Sequence, residues 1–285
     1  MRVLLIGVAV LGLAGNALAA DLPWLRGSSV EESPVPTGGW TGFYGGVQAG
    51  GSIGSADFTS GAERGRVTGL AAGILGNDPA TARLEHDFQV SQLLRVGKAD
   101  TTGSHYGGFI GFNTGWDEGI LGFEINYNFT SLGMTSANSI HGTFLTSDKF
   151  SDTITLSTAS TVLLRDYATF RGRAGWEIGR FLPYVFAGFA AARADVSRSV
   201  TAMTTGIDAA PPPAIPRPPF SVGPTTASEI RENAFGFGYA AGIGVDVMLA
   251  SNLFMRAEWE YIGLGKFQDQ TVHLSNVRAA LGMKF

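Results

Sequence analysis

GILGFEINYNF, residues 119 to 129, is the stretch on which the fold turns. Leu121, Phe123, Ile125, Tyr127 and Phe129 alternate with Gly122, Glu124, Asn126 and Asn128. Successive side chains of a strand point to opposite faces, so one face here is aliphatic and aromatic and the other polar. VRAALGMKF, residues 277 to 285, keeps the same period: Val277, Ala279, Leu281, Met283 and Phe285 oppose Arg278, Ala280, Gly282 and Lys284. Both stretches raise one question, which is what medium the apolar face meets.

Six further segments alternate in the same way. They are 40–54, 104–114, 161–176, 182–196, 233–249 and 253–264, and the terminal strand begins near Val272. Ala168, Phe170, Ala174 and Trp176 share one face of the fourth, and Tyr167, Thr169, Arg171 and Arg173 the other. In the seventh, Met255, Ala257, Trp259 and Tyr261 oppose Arg256, Glu258 and Glu260. The fifth has no clear phase, because both of its faces are apolar or small. Eight strands result, most of them near or above the ~9–11 residues that a tilted strand needs to cross a bilayer.

The connections give a second signal. Those at 115–118, 177–181 and 250–252 are short, those at 55–103, 130–160 and 197–232 are long, and 265–270 is of moderate length. A transmembrane barrel has short periplasmic turns and longer outer connections, which produces this rhythm. Seven of the twelve prolines fall within PPPAIPRPPFSVGP at 211–224, which reads as an extended loop, since proline removes ladder donors. Within the first long connection, Asp78 and Pro79 mark the start of a short helix in 77–96.

The N-terminal stretch MRVLLIGVAVLGLAGNALAA has one early Arg, an apolar run and an Ala17-Leu18-Ala19 cleavage site, so 1–20 reads as a signal peptide. Residues 21–39 read as a periplasmic segment and 40–285 as the barrel. Cysteine is absent, which excludes a disulfide framework and thiolate chemistry. The formal charge of −4 becomes −5 once Arg2 leaves, against the basic patch that nucleic-acid binding needs. Glycine is frequent, 40 of 285, which suits a sheet that must bend and close.

No mature stretch reaches the roughly 18 apolar residues of a spanning helix. A bilayer cannot hydrogen-bond a backbone, so a closed sheet is the remaining way to cross it. The fold class expected is therefore all-β, an eight-stranded antiparallel transmembrane barrel facing outer-membrane lipid. Its lumen would carry Glu124, Arg171, Arg173, Arg256, Glu258, Glu260 and Arg278, both signs together, in an interior just wide enough for side chains to fill. Inner glycines of the sixth strand, Gly236 to Gly244, would let Arg and Glu side chains fold across.

WTGFYGGVQAGGSIG, GGFIGFNTGWDEGILGFEINYNF, LPYVFAGFA and the terminal Phe285 together resemble the alphaproteobacterial outer-membrane surface proteins of the porin family. That resemblance implies an eight-stranded barrel contributing to envelope integrity, with Phe285 part of the signal read by the barrel-assembly machinery. Some relatives are credited with haem binding or host interaction. The first outer connection departs from the family pattern in its length.

Other motifs carry less. Gly50-Gly51-Ser52-Ile53-Gly54 satisfies G-x-S-x-G, but a nucleophile elbow needs a strand, a sharp turn and a helix. His86, His105, His141 and His273 lack metal-ligand spacing and are placed by sequence near the outer rim. Gly236-Phe237-Gly238 is a strand narrow on one side rather than a dinucleotide loop. No catalytic residue, metal site or cofactor is expected. The function expected is non-enzymatic: envelope structure and display of outer loops. The alternatives are a narrow channel for small solutes and a surface protein binding haem or host molecules.

Overall fold

The computed structural model describes residues 39–212, 215–267 and 269–285. The expected signal peptide and nearly all of segment 21–39 lie outside them. Eight antiparallel strands close into one barrel in sequence order. They are β1 Gly42–Asp57, β2 Lys98–Trp116, β3 Gly119–Leu145, β4 Phe150–Trp176, β5 Phe181–Asp208, β6 Phe220–Met248, β7 Leu253–Phe267 and β8 Gln270–Lys284. Closure is made by β1, which pairs β2 from Gly42↔Asn113 to Asp57↔Lys98 and β8 from Tyr44↔Lys284 to Asp57↔Thr271.

The alternation in the sequence becomes an inside and an outside. Glu124, Asn126 and Asn128 of β3 are buried, whereas Phe123, Ile125, Tyr127 and Phe129 are exposed. The ambiguous fifth strand is resolved in the same way, with Tyr184 and Phe186 turned inward and Val185 and Phe189 outward.

Two long connections expected from sequence are mostly strand. β3 and β4 have 27 residues each, against 15 in β8. Only 146–149 separates β3 from β4, and 209–219 separates β5 from β6. A bilayer crossing takes ~9–11 residues, so β3 to β6 are far longer than a crossing requires and rise above the other strands as a four-stranded wall. The period of two persists there, but its outer row changes from aromatic to Ser and Thr, which conceals it in a search for apolar faces. The proline-rich loop is likewise shorter than expected, because Phe220 to Pro224 already belong to β6. Above Gly238, among the described residues, no partner beyond β5 pairs β6, and proline is tolerated on such an edge. At the last connection Phe267 of β7 pairs directly with Gln270 of β8, so β7 ends later and β8 begins earlier than expected.

The first long connection folds into α1 Gly61–Gly76, α2 Pro79–Phe88 and a 3₁₀ turn, Val90–Leu93. α2 begins as expected, with Asp78 accepting from Ala80 N at 2.8 Å and Pro79 in the first turn. α1 was not expected. Gly61, Gly65, Gly69 and Gly73 recur every four residues, and each glycine costs about 1 kcal/mol relative to Ala in a helix interior. The helix forms because tertiary packing outweighs that cost. Val67, Ala71, Leu75 and Leu84 are buried against Ile154 and Leu156 of β4 and Val200 and Ala202 of β5. The two helices therefore lie on the concave, inner face of the wall.

Candidate functional site in the barrel interior

The inward row of β8, followed from its C-terminal end, samples the lumen layer by layer: Ala280, Arg278, Asn276, Leu274 with Val272, then Gln270. Ala280 belongs to an apolar floor with Trp40, Tyr44, Phe109, Leu182 and Phe254. Above it lies the charge layer. Arg171 donates from Nε to Glu124 Oε1 at 3.1 Å, from Nη1 to Glu258 Oε1 at 2.7 Å and from Nη1 to Glu260 Oε1 at 3.3 Å. One side chain of β4 thus joins β3 to β7 across the interior. Arg256 Nη1 reaches Glu124 Oε2 at 2.8 Å, and Arg278 contacts Glu258 and, at 3.0 Å, Glu260. Arg173 Nη1 lies 3.3 Å from Glu124 Oε2. All seven residues expected in the lumen are brought together there.

The eighth member, Asp246 of β6, was missed. It accepts from Arg173 Nη2 and from Arg256 Nε, both at 2.7 Å. It occupies the inner row of the sixth strand's alternation, but as a single acid among glycines it gave little sign of a partner. With it the layer holds four guanidiniums and four carboxylates. Isolated charges are very costly to bury, and pairing with full hydrogen bonding is the condition under which they persist.

The glycines of β6 have a different use from the one expected. A Cβ at Gly244 would sit 2.5 Å from the Tyr184 ring, and one at Gly242 2.5 Å from Phe186. They seat aromatic rings rather than charged chains, and the rings in turn carry the cations. The Arg173 guanidinium lies 3.8 Å from the Tyr184 centroid and that of Arg171 4.0 Å from Phe186, both within cation–π range.

A layer of uncharged polar groups follows. Gln48 Nε2 donates to Asn128 Oδ1 at 2.8 Å, and Asn276 Nδ2 to Tyr167 OH at 3.2 Å. His105 is here, buried, with Nδ1 2.8 Å from Ser52 Oγ. This corrects its expected place near the outer rim. It also places the serine of G-x-S-x-G in mid-strand, facing the closed lumen, with no elbow. Leu132, Met134, Val162, Leu164, Ile262 and Leu274 then fill the bore with apolar side chains. At the mouth, Glu63 of α1 accepts from Ser160 Oγ at 2.8 Å and from Arg198 Nε at 2.6 Å, and Gln270 also donates to it. Ser60 caps the same helix by accepting from Glu63 N at 3.1 Å. Ser60-x-x-Glu63 is the signature of a helix start that could have revealed α1.

At the far tip, Arg217 clamps the β5–β6 connection to the β3–β4 turn, with Nη2 donating to Asp208 Oδ1 at 2.6 Å and to Asp148 O at 2.8 Å. The bonds from the Arg217 side chain and backbone hold the Asp208 carboxyl well below the usual carboxylate range. Asp87 of α2 is lowered to about 2 by its hydrogen bonds with His86 and with Ser147 N. Among the described residues no group of His, Asp or Glu could hold a metal. His86 lies on α2, His141 on β3 beside Thr155 Oγ1 at 2.9 Å, and His273 on β8 beside Tyr261 OH at 2.9 Å. Phe285 is 82% exposed beyond the end of β8, and its N donates to Phe43 O at 2.8 Å.

Residues 9–285 match the family profile described as the outer membrane protein beta-barrel domain. The chain belongs to this family. It is accordingly an outer-membrane β-barrel of a Gram-negative bacterium, and its exposed aromatic rows are lipid-facing. Solved structures similar to it include Ail, the attachment invasion locus protein of Yersinia pestis, in complex with the heparin analogue sucrose octasulfate. It is 10% identical, with 85% of this chain and 99% of that chain covered and a TM-score of 0.32. Neisserial surface protein A is 15% identical, with 86% and 98% covered and a TM-score of 0.35. OprG from Pseudomonas aeruginosa is 10% identical, with 86% and 97% covered and a TM-score of 0.26. No curated protein matches the chain by sequence.

Proposed function

We propose that this outer-membrane barrel is a non-enzymatic surface protein, of the alphaproteobacterial porin-family kind, that contributes to envelope structure and carries a tall, helix-lined wall outside the cell. The observation that carries this reading is the charge layer, in which Arg171 alone links Glu124 on β3 to Glu258 and Glu260 on β7. Interlocked side chains fill the bore where a solute would have to pass, and further apolar layers lie on either side. This favours a scaffold over the alternative of a narrow channel. Phe285, at the inner rim, is assigned to recognition by the barrel-assembly machinery. Planar-bilayer recording with purified protein tests the scaffold reading. No reproducible conductance steps are expected. Sized steps that disappear on substitution of lumen residues, with the outer segments intact, would establish a channel.

A second reading, adhesion to host polypeptides, is favoured by the open edge of β3. Pairing with β2 ends at His105↔Thr130, so among the described residues 131–145 pairs β4 alone. That edge carries no Pro, Lys, Arg, Asp or Glu, whereas the free part of β6 has Pro224, Glu229, Arg231 and Glu232. Charges and proline are the usual guards against strand addition, so β6 is guarded. β3 lacks them and has the 95–97 segment beside it, with Gly97 N donating to Ser136 Oγ and Arg95 N to Asn138 Oδ1, which leaves 139–145 accessible. Shortening the β3–β4 hairpin to a tight turn near residue 131 should abolish saturable adhesion to host matrix protein. Equal adhesion by the shortened and intact forms removes this reading.

A further inference from the structure

The outward face of the four long strands is banded, and the bands follow a fixed vertical order. The lowest is lipid-facing and aromatic, ending in Phe129, Phe189 and Phe235, each at least 45% exposed. Next comes a line of register shifts, between Phe129 and Leu132, between Leu164 and Asp166, and between Ala194 and Val196. Along that line lie two guanidiniums, Arg165 bound through Nε to Asp195 at 2.8 Å and Arg193 bound to Asp166. Their side chains remain 51% and 39% exposed, so N–H groups are left for an outside acceptor.

Above the line the chemistry changes again. Cross-strand rows read Thr135–Thr161–Ser197–Ile230, with Ile230 the one exposed apolar member, then Ala137–Ala159–Ser199–Ser228 and Ser139–Ser157–Thr201–Thr226. None of these outward positions is charged. Hydroxyls pair across strands, Thr135 with Thr161 at 2.9 Å, Ser139 with Ser157 at 2.9 Å and Thr201 with Thr226 at 2.8 Å. A paired hydroxyl couple still has one O–H and several lone pairs to offer. The alanine row sinks the surface into a shallow depression of about 420 Å³, whose lining includes Ala137, Ser139, Ser157, Ala159, Ser199 and Thr201.

Apolar, arginine-bearing and hydroxylated bands, stacked outward on one continuous sheet face, match the acyl chains, phosphate and sugars of a phosphorylated glycolipid, the phosphate competing with Asp195 and Asp166 for the half-exposed guanidiniums. We propose that the outward face of β3 to β6 docks the saccharide-headed phospholipid of the outer leaflet, with phosphate at Arg165 and Arg193 and sugars along the hydroxyl wall. The proposal rests on the outer-membrane reading, and continuity with the lipid-facing band selects this occupant. A protein partner would need large apolar anchors, and the depression presents none.

The chain has no native cysteine, so a single reporter can be attached at His141→Cys, one row from the depression. The full chain is folded into phosphatidylcholine vesicles and titrated with four probes: lipid A carrying core sugars, lipid A alone, phosphatidylglycerol and free core oligosaccharide. A saturable reporter response to the sugar-bearing lipid is expected. It should weaken tenfold or more in Ala159→Trp, which fills the depression, and in the double variant Arg165→Gln, Arg193→Gln. Two outcomes would overturn the proposal: a response to phosphatidylglycerol equal to that of the glycolipid, or unchanged affinity in both variants. An equal response to the free oligosaccharide would overturn the lipid assignment in favour of a soluble saccharide. A chain that inserts yet binds nothing refutes this inference alone, whereas a chain that stays soluble without detergent refutes the outer-membrane reading beneath it.

Discussion

Glu124 shows how one side chain can decide the state of a barrel. It is 1% exposed, yet it accepts from Arg171, Arg173, Arg256, Tyr44 and Asn126. Burying a carboxylate is opposed by several kcal/mol of lost hydration, and that loss is offset only while the partners stay in place. Glu124→Leu leaves three buried guanidiniums short of an acceptor. Unfolding by urea in lipid vesicles should show a loss of about 3–5 kcal/mol relative to the native chain, the usual result of breaking a buried pair. A stability unchanged within error would mean that the charge layer does not hold the barrel together. This residue was legible from its place in GILGFEINYNF, because a lone acid in a polar row opposite aromatics has to face inward. Asp246, which shares Arg173 and Arg256 with Glu124, was in the correct row but had no charged neighbour in sequence to mark it.

Among the secondary elements, α1 and the strand extensions were the least legible, each for a physical reason. The extensions keep the strand period, but Ser and Thr replace the aromatic contrast once the outer face leaves the lipid. α1 has a weak intrinsic tendency to form, and its stability comes from the wall and from Glu63 buried among Ser160, Arg198 and Gln270. By contrast, α2 announced itself through Asp78-Pro79, a local signal independent of packing. The contact between α2 and the β3–β4 turn is electrostatic and pH-dependent. Asp87 accepts from Ser147 N at 2.9 Å, and its carboxyl is lowered to about 2. A lowered folded-state value means that the contact is fully present above the ordinary carboxylate value of about 4 and is lost as pH falls through about 2. Asp208 with Arg217 shifts in the same direction. Hydrogen-exchange protection of the Ser147 and Arg217 amides should hold from neutral pH to about 4 and fall below it, ahead of any loss in the barrel strands. Protection constant down to the lowest pH would show that packing, and not these carboxylates, fixes the tip.

The molecule as a whole is a lipid-embedded barrel with a filled bore, continued on one side as a wall whose inner face is covered by its own helices. Its closure, strand number and inside–outside division were readable from alternation and from the rhythm of the connections, since a bilayer imposes both on any chain that crosses it as a sheet. The height of the wall was not readable, since no comparable constraint acts beyond the lipid. The central claim is that the aromatic band lies in the membrane while the hydroxyl wall stands outside the cell. Single cysteines at Thr153, Phe170 and Asp117, in a chain that has none, test it together by labelling intact cells with a membrane-impermeant maleimide. Thr153→Cys should label at once, Asp117→Cys only after the outer membrane is opened, and Phe170→Cys in neither case. Labelling of Phe170→Cys as readily as Thr153→Cys, or of Asp117→Cys on sealed cells, would contradict the account.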